Sequence, residues 1–134
     1  MDEALILETT FLIDLERERR GGGRGPAHVF LSDQPGARLC ITPTIAGELA
    51  SGLDPGERTA WEELLSALSI LEVDREVCWQ YGRLFRFLKQ NGLLIGSNDL
   101  WIAATAVVHD IPLVTRNHRH FRRIPELRVL TYGS

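Results

Sequence analysis

Three of the 18 acidic residues of this 134-residue chain stand out, because each lies beside or within an apolar segment although they are far apart in sequence. Glu8 directly follows the apolar run Ala4–Leu7, which has the pattern of a covered parallel strand. Glu48 lies within the apolar face of a predicted helix, so it must be at the margin of that face or meet a cation. Asp99 lies in the first turn of another predicted helix. These side chains could act together only if the fold gathers them.

Three carboxylates in one pocket repel one another, and each tends to stay protonated unless a cation is present. Oxygen ligands without cysteine favour Mg²⁺ or Mn²⁺, and Mg²⁺ commonly binds few protein carboxylates together with waters and substrate phosphate. Such an ion polarises a phosphoryl oxygen and activates water for in-line attack on a phosphodiester. We therefore predict a metal-dependent hydrolytic site formed by Glu8, Glu48 and Asp99.

Strand-like and helix-like segments alternate along the chain. The predicted strands are Ala4–Leu7, Arg38–Thr42, Ser69–Val73, Ile111–Thr115 and Arg128–Thr131. The predicted helices are Thr10 to about Arg20, Pro26–Ser32, one beginning at Thr42 and Pro43, Pro55 to about Leu68, Asp74 to about Gln90, one opened by Ser97 and Asn98, and a turn through Phe121. This alternation predicts an α/β fold of three layers (α/β/α) around a central, mostly parallel sheet. Ligands of open α/β sheets bind at the carboxyl edge, where we expect Glu8, Asp99 and Asn117, with Glu48 reaching the edge from its helix.

The composition indicates a single domain over residues 1–134. The hydrophobic fraction of 44% and the charged fraction of 25% are ordinary for a globular protein. The sequence has neither an apolar run that could span a bilayer nor a signal-peptide pattern, so we expect a cytoplasmic protein without membrane association. Cys40 and Cys78 match no metal-binding spacing, and we expect both to be buried and reduced.

Other polar side chains flank the predicted acidic site. Thr9 and Thr10 follow the first strand and could bind either a ligand carboxylate or a substrate. Arginines gather at positions 17–24 and 116–123, on both sides of the acidic centre. His118 and His120 form a His-x-His pair, but no third ligand at suitable spacing accompanies them, so we do not predict a zinc site.

Four segments resemble, in order and spacing, the four motifs of PIN-domain ribonucleases, and most closely those of the VapC toxins of toxin–antitoxin pairs. They are Ile6–Asp14, Thr44–Leu49, Asn98–Ala104, and Leu113–Asn117 with Phe121. The resemblance covers essentially the whole chain. It implies a PIN-like fold and a Mg²⁺- or Mn²⁺-dependent endoribonuclease that is usually a dimer. Such a toxin is held inactive by a cognate antitoxin that inserts a segment toward the acidic site.

The resemblance also implies roles for single residues. Glu8, Glu48 and Asp99 hold the metal, and Asn117 orients water or a ligand. The residues expected to contact RNA are Thr9, Thr10, Thr115, Arg116 and Arg119. Two positions depart from the family pattern: Glu8 stands where the family nearly always has aspartate, and Asn117 where many members have an acid. The extra methylene of Glu8 displaces its carboxylate unless the backbone compensates.

The sequence leaves several alternatives open. A PIN-like module that has lost catalysis could bind an antitoxin or RNA, and Glu8 is the feature that favours it. A housekeeping RNA-processing nuclease would have the same site. The arginines could bind RNA, receive an acidic antitoxin tail or keep the surface soluble. Asp14 is expected to face solvent, and Trp101 to pack rather than line the pocket.

Overall fold

A single parallel sheet forms the centre of the computed structural model, which describes residues 3–133. The strands are β1 (Ala4–Leu7), β2 (Arg38–Ile41), β3 (Ser69–Ile70), β4 (Leu113–Val114) and β5 (Val129–Leu130). Their order is β3-β2-β1-β4-β5, and each neighbouring pair is parallel. The predicted α/β architecture is confirmed. The predicted domain extends to residues 1, 2 and 134, which lie outside the described range.

Helices connect the strands. They are α1 (Thr9–Arg20), α2 (Pro26–Ser32), α3 (Pro43–Ser51), α4 (Arg58–Ser66), α5 (Arg75–Gln90), α6 (Ser97–His109) and α7 (His118–Phe121). Two of them begin with a side-chain cap, because Thr42 accepts a hydrogen bond from the N–H of Ile45 and Asp74 accepts one from the N–H of Val77. No helix within residues 3–133 is both long enough and apolar enough to cross a bilayer.

The predicted helix from Pro55 to Leu68 is divided in the structure. A 3₁₀ turn at Pro55–Glu57 precedes α4, and a capping box joins Asp54 to Glu57. Leu64 of α4 is 39% exposed and no residue of α4 is fully buried, so this helix lies at the margin of the core. Residues 55–57 of the turn are exposed, so the division lies at the surface.

The outer strands are shorter than predicted because each pairs only where its neighbour extends. β3 pairs over two residues with the end of β2, at Cys40–Ile41. β5 likewise pairs only with the short β4. Outside these ladders the two segments have no regular secondary structure, so the predicted strands Ser69–Val73 and Arg128–Thr131 are strands only in part.

The core lies where β1 is covered by helices. Leu5, Ile6 and Leu7 are at most 1% exposed, as a strand covered on both faces requires. From α6, Ala103 and Ala104 are fully buried, and their small side chains allow close packing. This burial confirms the predicted inner face at these two alanines.

The two cysteines have different environments, and both are free. Cys40, on β2, is fully buried, and burial raises the pKa of its thiol. Cys78 is exposed, so the prediction that both are buried is wrong for this residue. The reason is its position on α5 directly after Val77, whose side chain faces the core and therefore turns that of Cys78 outward.

The sheet brings two chain segments together at its carboxyl edge. The N–H of Glu8 donates to the carbonyl of Val114 over 3.0 Å, and the N–H of Thr115 donates to that of Leu130 over 3.1 Å. The residues that directly follow β1 and β4 are therefore neighbours. This pairing places Glu8 beside Thr115.

Candidate active site

Glu8 is held at the junction of β1 and α1 and is only 4% exposed. The hydroxyls of Thr10 and Thr115 donate hydrogen bonds to its Oε1 over 2.6 and 2.5 Å. Because both hydroxyls bind the same oxygen, neither engages Oε2. Burial is the main cause that raises the pKa of Glu8, and the charge of Asp99 adds to it, while the threonine hydrogen bonds oppose the shift.

Glu48 lies on α3 at the margin of its apolar face, where it is half-buried. The hydroxyl of Thr9 donates to its Oε1 over 2.6 Å. A hydroxyl therefore supplies a partner for this carboxylate, and its half-burial is consistent with the predicted margin position. The bond joins the start of α1 to α3 and fixes Glu48 toward the edge where β1 ends.

Asp99 is close enough to both other acids for their charges to interact. Burial is the main cause that raises its pKa, and the charge of Glu48 raises it further, while His120 lowers it. The Nδ1 of His120 lies 3.7 Å from Oδ2 of Asp99. Since the charge of Asp99 also acts on Glu8, the three predicted acids share one electrostatic neighbourhood. The fold thus gathers side chains that are up to ninety-one positions apart in the sequence.

Asn117 lies next to this group of acids, on the segment between β4 and α7. Its backbone N–H donates to the hydroxyl of Thr115 over 2.9 Å, so one threonine joins Asn117 to Glu8. Its side-chain Nδ2 lies 3.0 Å from Nδ1 of His120. Asn117 is therefore placed beside the acidic group through its two neighbours.

Arg116 has a structural anchor. Its backbone N–H donates to the hydroxyl of Thr10 over 3.0 Å, and its Nη1 pairs with Oδ1 of Asp14 at 2.7 Å. The hydroxyl of Tyr132 donates to the second oxygen of Asp14 over 2.5 Å. Burial, together with the hydrogen bond to Asp14, raises the pKa of Tyr132. Arg119, by contrast, is exposed on α7.

Sequence reasoning missed the part played by Asp14 and Tyr132. The side chain of Asp14 is only 18% exposed, so the expectation that it faces solvent is wrong. A signal was present, because Asp14 lies three residues after the fully buried Phe11 and therefore on the same side of α1. Tyr132 carried no such signal, since its contact depends on where the chain passes after β5.

The donor set fits a hard divalent cation by type. The acids offer carboxylate oxygens from three elements without a thiolate, which suits Mg²⁺ or Mn²⁺. A cation would also favour the charged forms of Glu8 and Asp99, whose pKa values are raised. Within residues 3–133, however, no three His, Cys, Asp or Glu side chains stand in an arrangement that could itself enclose an ion. The remaining ligands would have to be waters or substrate oxygens, as is common for Mg²⁺.

Comparison with known proteins finds a family profile and relatives that match nearly the whole chain. The PIN domain family profile matches residues 5–127. Ribonuclease VapC of Rickettsia bellii is 32% identical over 136 residues, with 95% of each chain covered. Ribonuclease VapC1 of Methanocaldococcus jannaschii is 27% identical over 134 residues, covering 99% of this chain and 90% of the relative.

Solved structures agree with these sequence matches. VapBC2 of Rickettsia felis, bound to a DNA fragment from its promoter, superposes with a TM-score of 0.82 at 26% identity, covering 97% of this chain and 99% of the other. A toxin–antitoxin complex from Klebsiella pneumoniae gives a TM-score of 0.69 at 26% identity, covering 95% and 96%.

Proposed function

Because the chain belongs to the PIN-domain family and, within it, to the VapC ribonucleases, we propose that it is a metal-dependent endoribonuclease that acts as a type II toxin. In this proposal a single PIN-like domain hydrolyses RNA phosphodiester bonds. The observation that supports it most is geometric: the first residues of α1 hold both Glu8 and Glu48 by hydrogen bonds, and Thr115, which also holds Glu8, is joined through Asn117 and His120 to Asp99. Mutually repelling acids at the carboxyl edge of a parallel sheet favour a role in holding a cation.

Glu8, Glu48 and Asp99 would hold Mg²⁺ or Mn²⁺. When bound, such an ion polarises a phosphoryl oxygen and lowers the pKa of an attacking water. The chain itself supplies the orientation of the acids. Threonine hydroxyls hold Glu8 and Glu48, whereas Asp99 has only the ring of His120 at 3.7 Å, so Asp99 is the acid that is free to turn toward an ion.

The threonines position the carboxylates in this proposal. Thr10 and Thr115 hold Glu8, and Thr9 holds Glu48. A hydroxyl can donate one hydrogen bond, and each of these hydroxyls donates it to a carboxylate. None of the three can therefore donate to RNA at the same time. The sequence offered two roles for Thr9 and Thr10, and these bonds favour the one in which they bind a ligand carboxylate. We extend the same positioning role to Thr115.

The neutral and basic residues act on the substrate. Asn117 orients water or a substrate oxygen from its place beside the acids. Arg116 and Arg119 contact RNA phosphates at the rim, largely without reading bases. Arg116 is the better ordered of the two, because Asp14 fixes its guanidinium.

We also propose a cognate antitoxin and a homodimer as the protein's assemblies. Solved relatives of this chain are toxin–antitoxin complexes, which supports an antitoxin partner. The dimer follows only from the family resemblance. Size-exclusion chromatography with light scattering, on the chain alone and co-expressed with a neighbouring small gene product, tests both.

The experiment that tests the proposed function is RNA cleavage by Asp99→Asn in Mn²⁺. We expect cleavage to fall on the order of 100-fold or more, because the metal loses a charged ligand. The fold should persist, since removing one of several repelling charges relieves the metal-free site. Cleavage at the parent's rate would contradict the proposal.

Asp110→Asn is the matched control. Asp110 lies directly after α6, at the end opposite Asp99, and has a φ of 53°. Asparagine tolerates this left-handed conformation, so the variant removes the same charge without strain. It should cleave RNA as the parent does.

Glu8 decides between catalysis and the alternative of a binding module. The hydroxyls of Thr10 and Thr115 fix the carboxylate of Glu8 through Oε1. These bonds support a role for Glu8 as a metal ligand despite its extra methylene. A parent protein that binds Mn²⁺ and cleaves RNA agrees with this. A parent that binds RNA or antitoxin but neither binds Mn²⁺ nor cleaves would favour the module.

A further inference from the structure

A surface cavity of about 520 Å³ opens next to the acidic site. Thr115, whose hydroxyl binds Glu8, also lines this cavity, so the two regions share a wall. Basic residues line two of its sides, Arg17 from α1 and His118 and Arg122 from α7 and its end, and the wall also contains the acids Asp14 and Glu18. The cavity is therefore a basic recess that adjoins an acidic centre.

The acids in the cavity wall already have partners. Asp14 is paired with Arg116 at 2.7 Å and accepts from Tyr132. Glu18 accepts from the backbone N–H of His28 over 3.0 Å, and its Oε1 lies 2.8 Å from the ring Nδ1 of the same residue. These carboxylates are thus committed to holding α1, α2 and the chain end together. Arg116 balances the charge of Asp14, and hydrogen bonds stabilise the carboxylate of Glu18.

Arg17 and Arg122 are in the opposite situation. Both are exposed, and no hydrogen bond or ion pair of either guanidinium occurs among the residues that the structure describes. Arginine presents a planar set of donors that matches phosphate oxygens, so two such groups facing one recess form a suitable anion site. The positive charge of the cavity is available to a ligand.

We propose that this cavity binds an RNA backbone phosphate adjacent to the one at the acidic site, through Arg17 and Arg122. The inference rests on the proposed ribonuclease function and extends it by giving the direction in which the substrate leaves the acids. RNA is favoured because a strand carries phosphates on both sides of the scissile bond, and Thr115 is common to the cavity wall and the acidic site. The exposed edge of Tyr132 adds an apolar surface for a sugar or base.

The test compares two double variants that each remove two positive charges. Arg17→Ala/Arg122→Ala removes the proposed ligands. Arg86→Ala/Lys89→Ala is the matched control, because both residues are exposed on α5 and neither lines the cavity. Binding of a fluorescein-labelled oligouridylate is measured by anisotropy in EDTA, so that metal-dependent cleavage does not interfere.

We expect the cavity variant to bind on the order of tenfold more weakly than the control variant, with the salt slope of log K smaller by about 1.4 for two lost single-strand phosphate contacts. Equal weakening in both variants would overturn the inference, because net charge alone would explain it. Unchanged RNA binding, or no RNA binding by the parent, would also overturn it. So would a cavity variant that keeps RNA but loses a co-expressed antitoxin, since the site would then belong to an acidic protein.

Cleavage in Mn²⁺ separates this inference from the proposed function. If the parent cleaves RNA and the cavity variant binds as tightly as the control, only the cavity assignment fails. If RNA binding depends on the two arginines but the parent does not cleave, the ribonuclease proposal fails instead. Urea unfolding of both variants verifies that each is folded.

Discussion

Thr115→Val is the substitution that most sharply tests how Glu8 is held. Thr115 is fully buried, donates to Oε1 of Glu8 over 2.5 Å and accepts from the N–H of Asn117 over 2.9 Å. Valine has nearly the same shape, so the change removes the hydroxyl and little else. Both hydrogen bonds are lost together.

The size of the effect follows from those two bonds. A hydrogen bond to a charged group contributes about 1.5–3 kcal/mol, and an unsatisfied buried donor costs about 1–3 kcal/mol. Asn117 is only half-buried, so water can partly replace the lost acceptor for its N–H. We therefore expect the free energy of unfolding to fall by about 2–3 kcal/mol at neutral pH. The pKa of Glu8 should rise further, because the lost hydrogen bond lowers it in the parent.

Thr105→Val is the matched control. Thr105 is also fully buried, but its hydroxyl donates over 2.8 Å to the carbonyl of Trp101 in its own helix. That carbonyl keeps its helical partner, so the loss should be about 1 kcal/mol or less. Urea unfolding in EDTA measures both variants without a metal contribution.

A double-mutant cycle with Glu8→Gln completes the test. In the Glu8→Gln background the hydroxyl of Thr115 meets a neutral amide oxygen, so Thr115→Val should be about 1 kcal/mol less destabilising than in the parent. Equal losses from Thr115→Val and Thr105→Val, or no coupling in the cycle, would refute the reasoning that Thr115 holds a charged Glu8.

Two further predictions concern groups whose pKa values are shifted. Burial and the charge of Asp99 hold the pKa of Glu8 above its ordinary value, so the native state keeps a proton that the unfolded state releases. Stability of the metal-free parent should therefore decline as pH rises from the ordinary glutamate pKa through the raised one. In urea titrations Glu8→Gln should reduce that decline and leave the part that the raised pKa of Asp99 contributes. An unchanged decline in the variant, or none in the parent, would contradict this. Tyr132→Phe deletes the hydrogen bond to Asp14 and should lower the free energy of unfolding by about 1–2 kcal/mol, whereas Tyr81→Phe on α5 should change it less; equal changes would count against the bond.

Much of the fold could be predicted from local patterns. The run Ala4–Leu7 has the composition of a covered strand. The N-cap residues Thr42 and Asp74 correctly predict where α3 and α5 begin. The exact ends of β3 and β5 could not be predicted, because pairing depends on the length of a neighbouring strand that is remote in sequence.

The sequence could predict that the three acids of the site come near one another, but not the hydrogen bonds that hold them. Chain alternation alone places Glu8 at the carboxyl edge of the sheet, and the stripe position of Glu48 indicates that it reaches inward. The hydroxyl partners follow from tertiary contacts across as many as 107 positions, as between Thr115 and Glu8, which no local pattern encodes. The burial predicted for Cys78 rested on its residue type alone, and the position after the buried Val77 decides its exposure instead.

A crystal structure of the protein soaked in Mn²⁺, with the ion located by anomalous scattering, tests the central claim most directly. We predict a Mn²⁺ ion bonded to carboxylate oxygens from Glu8, Glu48 and Asp99, with waters completing its shell. An ion found only elsewhere, such as at His118 and His120, or no ion at all, would contradict the account.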